Sequence, residues 1–474
     1  MADITRIVII GGGASGTISA IHLLHEFKGP VRIYLIEKRQ EALFRGAAYS
    51  SKLEFELLNV PVGKMSIFSD LPDDFYEWLL SNRQKLSKQP ITREAFVSRR
   101  WFGDYLTERL VEAKMSAPKA FIEVAVAEAT DILFDKQINA YKVRLSHGSL
   151  LEADKLIFAT GHEPPKEIFS NLDKALLGRR YVENPWGTKP FENLSPQDDV
   201  LIIGSGLSMI DHALSLYKAG HLGRVYSFSR HALLPLAQHI GADGEVDLHD
   251  ESPELFPVLN KLRAAAVAAR QRGVPWQQVI NSVRDDTRFI WQCMSVQSKR
   301  IFLRRLRVYW EIHRHRMPLE SAELVSEMKS TGKLELLAGK YREISTGKHG
   351  FLFRFVSRVT GGLRSVKVNY VINCTGPSGN YNQCNNWMIR HMLSKGWMKE
   401  DELKLGIVTG YNGEIVTASG SALPNAYAIG PLRKASEWES TAIREIKVQA
   451  EQLALDIALE YQEPGLQKRV CRLV

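Results

Sequence analysis

The segment Asp198–Leu214, DDVLIIGSGLSMIDHAL, decides the fold, because an earlier segment, Val8–Leu24, VIIGGGASGTISAIHLL, has already spelled the same grammar. In the earlier copy Arg6–Ile10 is a β-branched strand, Gly11-Gly12-Gly13-Ala14-Ser15-Gly16 is a tight turn, and Ile18, Ile21, Leu23 and Leu24 mark a helix. In a G-x-G-x-x-G turn the first glycine bends the chain and the second lets the backbone approach a pyrophosphate. The third lets the helix pack on its strand, and the helix N-terminus faces the anion. A second strand, VRIYLIEKR (Val31–Arg39), then brings Glu37 and Lys38, with Glu37 placed 37 − 16 = 21 residues past the last glycine. A carboxylate there accepts the ribose hydroxyls of an adenosine.

The later copy keeps Gly204 and Gly206, followed by Leu207 and Ser208, but has Met209 at the third position, so its helix is expected to stand farther from its strand. Its next strand, GRVYSFSRH, ends in Ser229-Arg230 where the first has an acid. A hydroxyl and a guanidinium suit a 2′-phosphate that a carboxylate would repel, so this copy is read as a site for NADPH rather than NADH, the alternative being a solvated strand end.

Two such loops in one chain have a chemical logic: one holds FAD and the other a nicotinamide that reduces it. A further echo supports the arrangement. ADKLIFATGHEPP (Ala153–Pro165) and VNYVINCTGPSG (Val368–Gly379) both run from an apolar strand into Thr-Gly, giving Thr160, Gly161, Thr375 and Gly376 as strand-end residues beside a cofactor. Near the C-terminus, PNAYAIGPL places Gly430 and Pro431 between a strand and a long helix. The expected fold is α/β with two Rossmann-like domains. The FAD domain is expected over 1–180 and 365–474, and the NAD(P)H domain over 195–365 with a helical insertion at 236–318.

The chain has 474 residues, 45% hydrophobic and 24% charged, the balance of a globular protein with room for two or three cores. No apolar run reaches the roughly 18 residues of a membrane span. The N-terminus lacks a signal peptide's basic and apolar regions, so neither membrane insertion nor export is expected and the expected location is the cytoplasm. Cys293, Cys374, Cys384 and Cys471 are scattered without a C-x-x-C, which speaks against a disulfide scaffold, a zinc cage or a dithiol redox centre. The net charge of +9 is concentrated locally and suits anionic cofactors or substrates. Nucleic acid is not expected, because the basic residues lack the interleaved exposed aromatics of a single-strand platform.

The ordered set of glycine loop, acid, A-T-G, second glycine loop, T-G and C-terminal helix is similar to flavin-containing monooxygenases and the related N-hydroxylases of amines. LLNVPVGKMSIFSDLP adds Asn59, Met65, Phe68, Asp70 and Pro72, which resemble the N-x-x-x-x-x-M-x-x-F-x-D-x-P segment of those enzymes. The chain resembles still more a bacterial family labelled as FAD/NAD(P)-binding proteins, through RGAAYS (Arg45–Ser50), SRRWFGDYL (Ser98–Leu106, with Arg99), VINCTGP and WESTAIREI. The resemblance implies Asn59 beside the reacting edge of the flavin. It also implies oxygen transfer through a flavin C4a-hydroperoxide to a nucleophilic nitrogen or sulfur of a small metabolite. One departure stands against it: the F-x-G-x-x-x-H-x-x-x-[YF] element before the second loop is missing, that interval reading LGRRYVENPWGTKPFENLSPQDD. An NADPH-dependent reductase or oxidase without oxygen transfer, and a non-catalytic dinucleotide-binding regulator, therefore remain alternatives.

The insertion reads as helices broken at Gly273 and Pro275. Its last part sets Ile301, Leu306, Tyr309 and Ile312 near one stripe and Arg300, Arg304, Arg307, Glu311 and Arg314 on another. Either this basic face and the run His313-Arg314-His315-Arg316 cap the site and hold an anionic substrate, or they are a solvated face over core aromatics such as Trp310. No metal is expected, since His313 and His315 at i, i+2 on a helix point apart. His22 and His25 in the first helix are expected to be partly exposed structural residues.

Overall fold

The computed structural model describes residues 4–51, 53, 56–86, 90–135, 137–169, 180–187, 191–239, 253–347 and 350–462. The chain divides into two compact units, 1–51 with 60–163 and 379–474, and 52–59 with 164–378.

In the first unit the strands are β1 (Thr5–Ile10), β2 (Val31–Glu37), β3 (Ala120–Val126), β4 (Ala129–Asp135), β5 (Ala140–Leu145), β6 (Leu150–Ala153), β7 (Lys155–Phe158), β15 (Glu414–Val416) and β16 (Ala422–Ala428). Its six-stranded sheet has the order β15-β16-β7-β1-β2-β3, and β4, β5 and β6 form a separate antiparallel sheet. Strands β1 and β2 run parallel with Thr5 on Val31 and Ile10 on Ile36, while β7 lies on the other side of β1. β1 and β7 are buried on both faces at their carboxyl ends, which is why their sequences are continuous apolar runs. Helix α1 (Ala14–Glu26) follows β1, and the C-terminal helix Ile443–Gln462 lies against it.

In the second unit the strands are β8 (Tyr181–Val182), β9 (Val200–Ile203), β10 (Val225–Ser229), β11 (Leu334–Gly347), β12 (Gly350–Ser357), β13 (Leu363–Val368) and β14 (Tyr370–Asn373). They form one sheet in the order β13-β12-β11-β10-β9-β14-β8. The central order repeats that of the first unit: the strand before the loop has the following strand on one side and the Thr-Gly strand on the other. Both units thus centre on parallel strands, with antiparallel strands β15–β16 at the edge of the first sheet and β11–β13 at the edge of the second.

The unit boundaries differ from those read in the sequence. The crossing expected near residue 180 falls after Glu163, because β8 is laid parallel on β14. The return expected at 365 falls after Ser378, because β14 pairs with β9 from Tyr370↔Val200 to Asn373↔Ile203, inside the second sheet. An apolar run identifies a buried strand, but not which sheet takes it.

The insertion is helical where described: Leu255–Gln271, Trp276–Ser282, Thr287–Cys293, Val296–Ile301 and Arg307–Arg314, with the chain breaking at Gly273 and Pro275 as expected. Residues Phe302–Leu306 between the last two helices form a π turn. The extra residue per turn moves the apolar stripe: Ile301, Phe302, Leu306 and Trp310 pack on the bundle's core, and Tyr309, expected on that stripe, is 47% exposed. Among the described residues no helix is long and apolar enough to cross a membrane.

Candidate functional site

In the first unit the chain turns at Gly11, whose φ of +109° suits glycine and whose amide donates to Ile36 O at 2.9 Å. A Cβ at Gly11 would stand 2.2 Å from Ala159 O, and one at Gly16 would stand 1.9 Å from Gly11 O. Gly13 caps α1 without a side-chain bond, so the amides of Ala14, Ser15 and Gly16 at the helix N-terminus have no intrahelical acceptor. Glu37 is buried, and its carboxylate accepts from Arg39 N at 3.1 Å. Burial holds Glu37 above the ordinary carboxylate pKa, opposed by the Arg39 amide and the charges of Arg39 and Lys38. Lys38 itself leans to Glu128, 3.7 Å away.

Two further elements close on this loop. Thr160, just past β7, comes against Gly11, and its hydroxyl is buried with no hydrogen-bond partner among the described residues. Gly430, after β16, sits so close to α1 that a Cβ there would meet Ser15 Oγ at 2.7 Å. Its amide donates to Gln449 Oε1 at 2.8 Å. Gln449 donates in turn to Glu437 at 2.5 Å, and Arg433 donates to the same carboxylate and to Tyr411 O. Pro431, Arg433, Glu437 and Gln449 are all buried. Sequence reasoning missed this network; its one visible signal is the i, i+4 spacing of Arg433 and Glu437 directly after the Gly-Pro turn.

The second unit repeats the first loop's backbone with other side chains. Gly204 has φ +123°, its amide donates to Phe228 O at 2.8 Å, and a Cβ there would lie 2.1 Å from Cys374 O. Gly206 caps the helix Leu207–Lys218. Since Gly11 bonds Ile36 and Gly204 bonds Phe228, Ser229 occupies the place of Glu37 and Arg230 that of Lys38. Ser205 replaces Gly12 and donates to Ser229 Oγ at 3.0 Å. Met209, in the place of Gly16, is fully buried in this unit's core. Gly204 O accepts instead from Ser227 Oγ at 2.9 Å, and the first helical bond, Ile210 N to Gly206 O, is 3.2 Å against 2.9 Å for Thr17 N to Gly13 O.

The strand-end threonines also differ. Thr375 donates its hydroxyl to Asn373 Oδ1 at 2.7 Å, whereas that of Thr160 has no such acceptor. Gly161 and Gly376 follow with φ of +72° and +86° and open space above them. Ser208 accepts from Trp186 Nε1 at 3.3 Å, and Pro185 accepts from His212, so the Asn184-Pro185-Trp186 turn props the second helix.

Asn59 falls in the second unit, where its backbone carbonyl accepts from Gln238 Nε2 at 3.0 Å. Met65 and Phe68 are buried in the first unit, with Asp70 and Pro72 exposed beyond them. Phe68 is clasped by α1, with His22 edge-on at 5.5 Å and His25 stacked at 5.4 Å. His22 is therefore not partly exposed as expected: it is 4% exposed, with Nε2 on Ile67 O at 2.9 Å. Arg99 opens the helix Arg99–Ser116 and faces Tyr49, whose hydroxyl burial pushes up to about 12 against the pull of that guanidinium.

The basic run of the insertion is divided in its uses. Arg316 is buried, bonded to Asn281 Oδ1 at 2.5 Å and lying over Trp276. Arg307 pairs with Glu311, and His313 packs edge-on against Trp276 at 4.8 Å. These groups are structural, whereas Arg300 and Arg304 are exposed. Cys374 is buried, and burial pushes its thiol well above the ordinary range, as fits a packing residue.

Residues 8–163 match the model of the FAD-NAD(P)-binding family, which makes this stretch an FAD/NAD(P)-binding domain. No curated protein matches the chain in sequence. Among solved structures, the L-lysine 6-monooxygenase of Pseudomonas syringae aligns with TM-score 0.64 and 15% identity over 97% of this chain and 100% of its own. The ornithine hydroxylase of Pseudomonas aeruginosa aligns with TM-score 0.63 and 16% identity over 97% and 100%. The cadaverine monooxygenase of Erwinia amylovora gives 0.59 and 11% over 97% and 94%. At these identities what is shared is the fold.

Proposed function

We propose that this chain is an FAD-dependent, NADPH-consuming monooxygenase that places one oxygen atom of O2 on a nucleophilic nitrogen of a small amine, the other atom leaving as water. The observation that carries the reading is the pair of loops with one backbone and opposite chemistry: Glu37 where the second has Ser229, and Lys38, turned to Glu128, where the second has Arg230. An acid binds a ribose, and a hydroxyl with a guanidinium binds a phosphate on one. The fold shared with lysine, ornithine and cadaverine monooxygenases favours an amine over a thioether as acceptor.

The residues present fit the dinucleotides. The Thr160 hydroxyl, on the residue beside Gly11, and Ser440 Oγ, before the C-terminal helix, are both buried without a partner among the described residues. Such groups are costly unless a ligand completes them. Gly11, Gly13, Ala14, Ser15 and Gly16 would hold the FAD pyrophosphate and Glu37 its ribose, with Gly430, followed by Pro431, packed beside Ser15. Gly204, Gly206, Leu207 and Ser208 would hold the NADPH pyrophosphate. When bound, FAD takes a hydride from NADPH and in reduced form reacts with oxygen. The chain's own work is to orient both dinucleotides and exclude water, and Asn59 is the residue that the resemblance assigns to the reacting edge. Residues Arg300 and Arg304 remain as groups for an anionic substrate.

The test is coupling. Purified protein should be yellow, bleach with NADPH without oxygen, and on admission of oxygen yield a hydroxylamine from a small diamine or basic amino acid at close to one per NADPH. Peroxide in that ratio with every amine tried would replace monooxygenation by an oxidase activity. Tight FAD with no bleaching would leave only a dinucleotide-binding protein. Asn59→Ala is expected to move product towards peroxide; unchanged coupling would remove Asn59 from the reaction.

A further inference from the structure

The turn after β10 is held in an unusual shape. Ser229 Oγ accepts from Ala232 N at 2.8 Å and from Ser205 Oγ at 3.0 Å, and Ala232 takes a φ of +52°. Because Ser229 already accepts twice, its own proton is left to donate. The turn presents Arg230 and His231, and two distant parts of the chain meet it there. Ala338 of β11 is the register partner of Ser229, and Arg358, just past β12, donates its amide to Ala338 O at 2.8 Å. From the insertion, the ring of Tyr309 stands 6.4 Å from that of His231 at 50°. The π turn at Phe302–Leu306 is what frees Tyr309 from the bundle's buried stripe to reach this place.

The charge here is unbalanced. Burial first, then the charges of Arg358 and Arg230, hold His231 below its ordinary pKa. Among the described residues no carboxylate pairs with Arg230 or Arg358. Cations gathered without a counter-charge repel one another until an anion joins them, and guanidiniums match the geometry of a phosphate.

We propose that this corner recognises an adenosine 2′-phosphate, with Arg358 joining Arg230 and Ser229 on the phosphate and Tyr309 giving the adenine an aromatic wall. The hairpin and the insertion are then parts of the nucleotide site, not additions to the dinucleotide fold. The inference rests on the NADPH reading of the second loop, and its test separates the two.

Adenosine 2′,5′-bisphosphate and adenosine 5′-monophosphate are titrated calorimetrically into the FAD-loaded protein. The bisphosphate is expected to bind at least about tenfold more tightly, the value of one charge-assisted contact or more. Arg358→Gln should remove about tenfold of that preference and leave the monophosphate unchanged. Tyr309→Ala should weaken both ligands alike, by about fivefold or more. Both side chains are exposed, so both variants should fold, and circular dichroism checks this. Equal binding of the two ligands by the unaltered protein would overturn the NADPH reading and this inference with it. A preference abolished by Arg230→Gln but untouched by Arg358→Gln, with Tyr309→Ala binding both ligands as tightly as the unaltered protein, would overturn the inference alone.

Discussion

The two glycine loops can be superposed in the mind residue by residue, and what differs is only what the side chains do. Gly11 and Gly204 make the same turn and bond the same strand position. Gly12 becomes Ser205, Gly16 becomes Met209, Glu37 becomes Ser229, and the unpartnered Thr160 becomes a Thr375 bonded to Asn373. The two units share this backbone, and under the proposed function the second strand's last residues would decide which ribose each loop accepts. A loop backbone can thus be kept while the side chains around it change at a few positions.

The sharpest way to break the likeness is to fill the first glycine of each loop. Gly11→Ala puts a methyl 2.2 Å from Ala159 O and Gly204→Ala puts one 2.1 Å from Cys374 O, both at positive φ. Each is expected to cost about 4 kcal/mol or more, the range of overpacking with backbone strain. Chemical unfolding and flavin absorbance read the difference between them. Gly11→Ala should purify colourless, and Gly204→Ala should retain FAD but lose reduction by NADPH. Loss of colour in both would mean the units do not hold their ligands separately.

A second difference lies in the histidines buried in the two loop helices. His212 is 4% exposed, and burial lowers it from 6.5 to about 4, the bond to Pro185 opposing; His22 is lowered by burial while Glu451 opposes. A histidine whose folded pKa lies below its unfolded one contributes stability above the unfolded value, and that stability is lost as pH falls from about 6.5 towards the folded pKa. For His212 the full loss near pH 4 is about 3 kcal/mol. Denaturation midpoints measured from pH 7 to pH 5 should fall, and His212→Gln should flatten the fall in the second unit while leaving that due to His22. An unchanged slope would mean that His212 titrates normally.

The ribose positions give a smaller effect that is more specific. Ser229→Glu recreates the first loop's acid in the second, and should lower kcat/KM for NADPH about a hundredfold relative to NADH, close to 3 kcal/mol of lost and reversed phosphate contact. An unchanged ratio of the two coenzymes would show that the strand end does not choose between them.

How much of this was legible in the sequence follows the same division between backbone and partner. Gly11, Gly204 and Glu37 could be read because a turn with positive φ under a passing carbonyl admits few residues, and those residues recur at fixed spacing. Met209 was read as a residue too large for the third glycine's place, and it is accommodated by full burial in the second unit's core. Arg358 and Tyr309 were not, because each reaches the β10 turn through pairings that no local period encodes. Tyr309 was even misassigned to the buried stripe, since a 3.6-residue period does not foresee a π turn. The seams were displaced because Tyr370–Asn373 reads equally well as a strand of either sheet until its partner β9 is known.

The smallest expected effect concerns the helix starts. Ser15 and Ser208 occupy the same position, yet Ser15 is pressed by Gly430, and Ser208 is held by the Trp186 indole at 3.3 Å. A long hydrogen bond of this kind contributes about 1 kcal/mol or less. Trp186→Phe keeps the ring and removes the donor, so it should lower the second unit's unfolding free energy by that amount and weaken NADPH severalfold, with FAD content unchanged. The companion Ser208→Ala should add nothing to Trp186→Phe, because both remove one bond. If the two effects add instead, Ser208 has a task of its own at the pyrophosphate, and the second loop uses its side chain where the first uses only its amides.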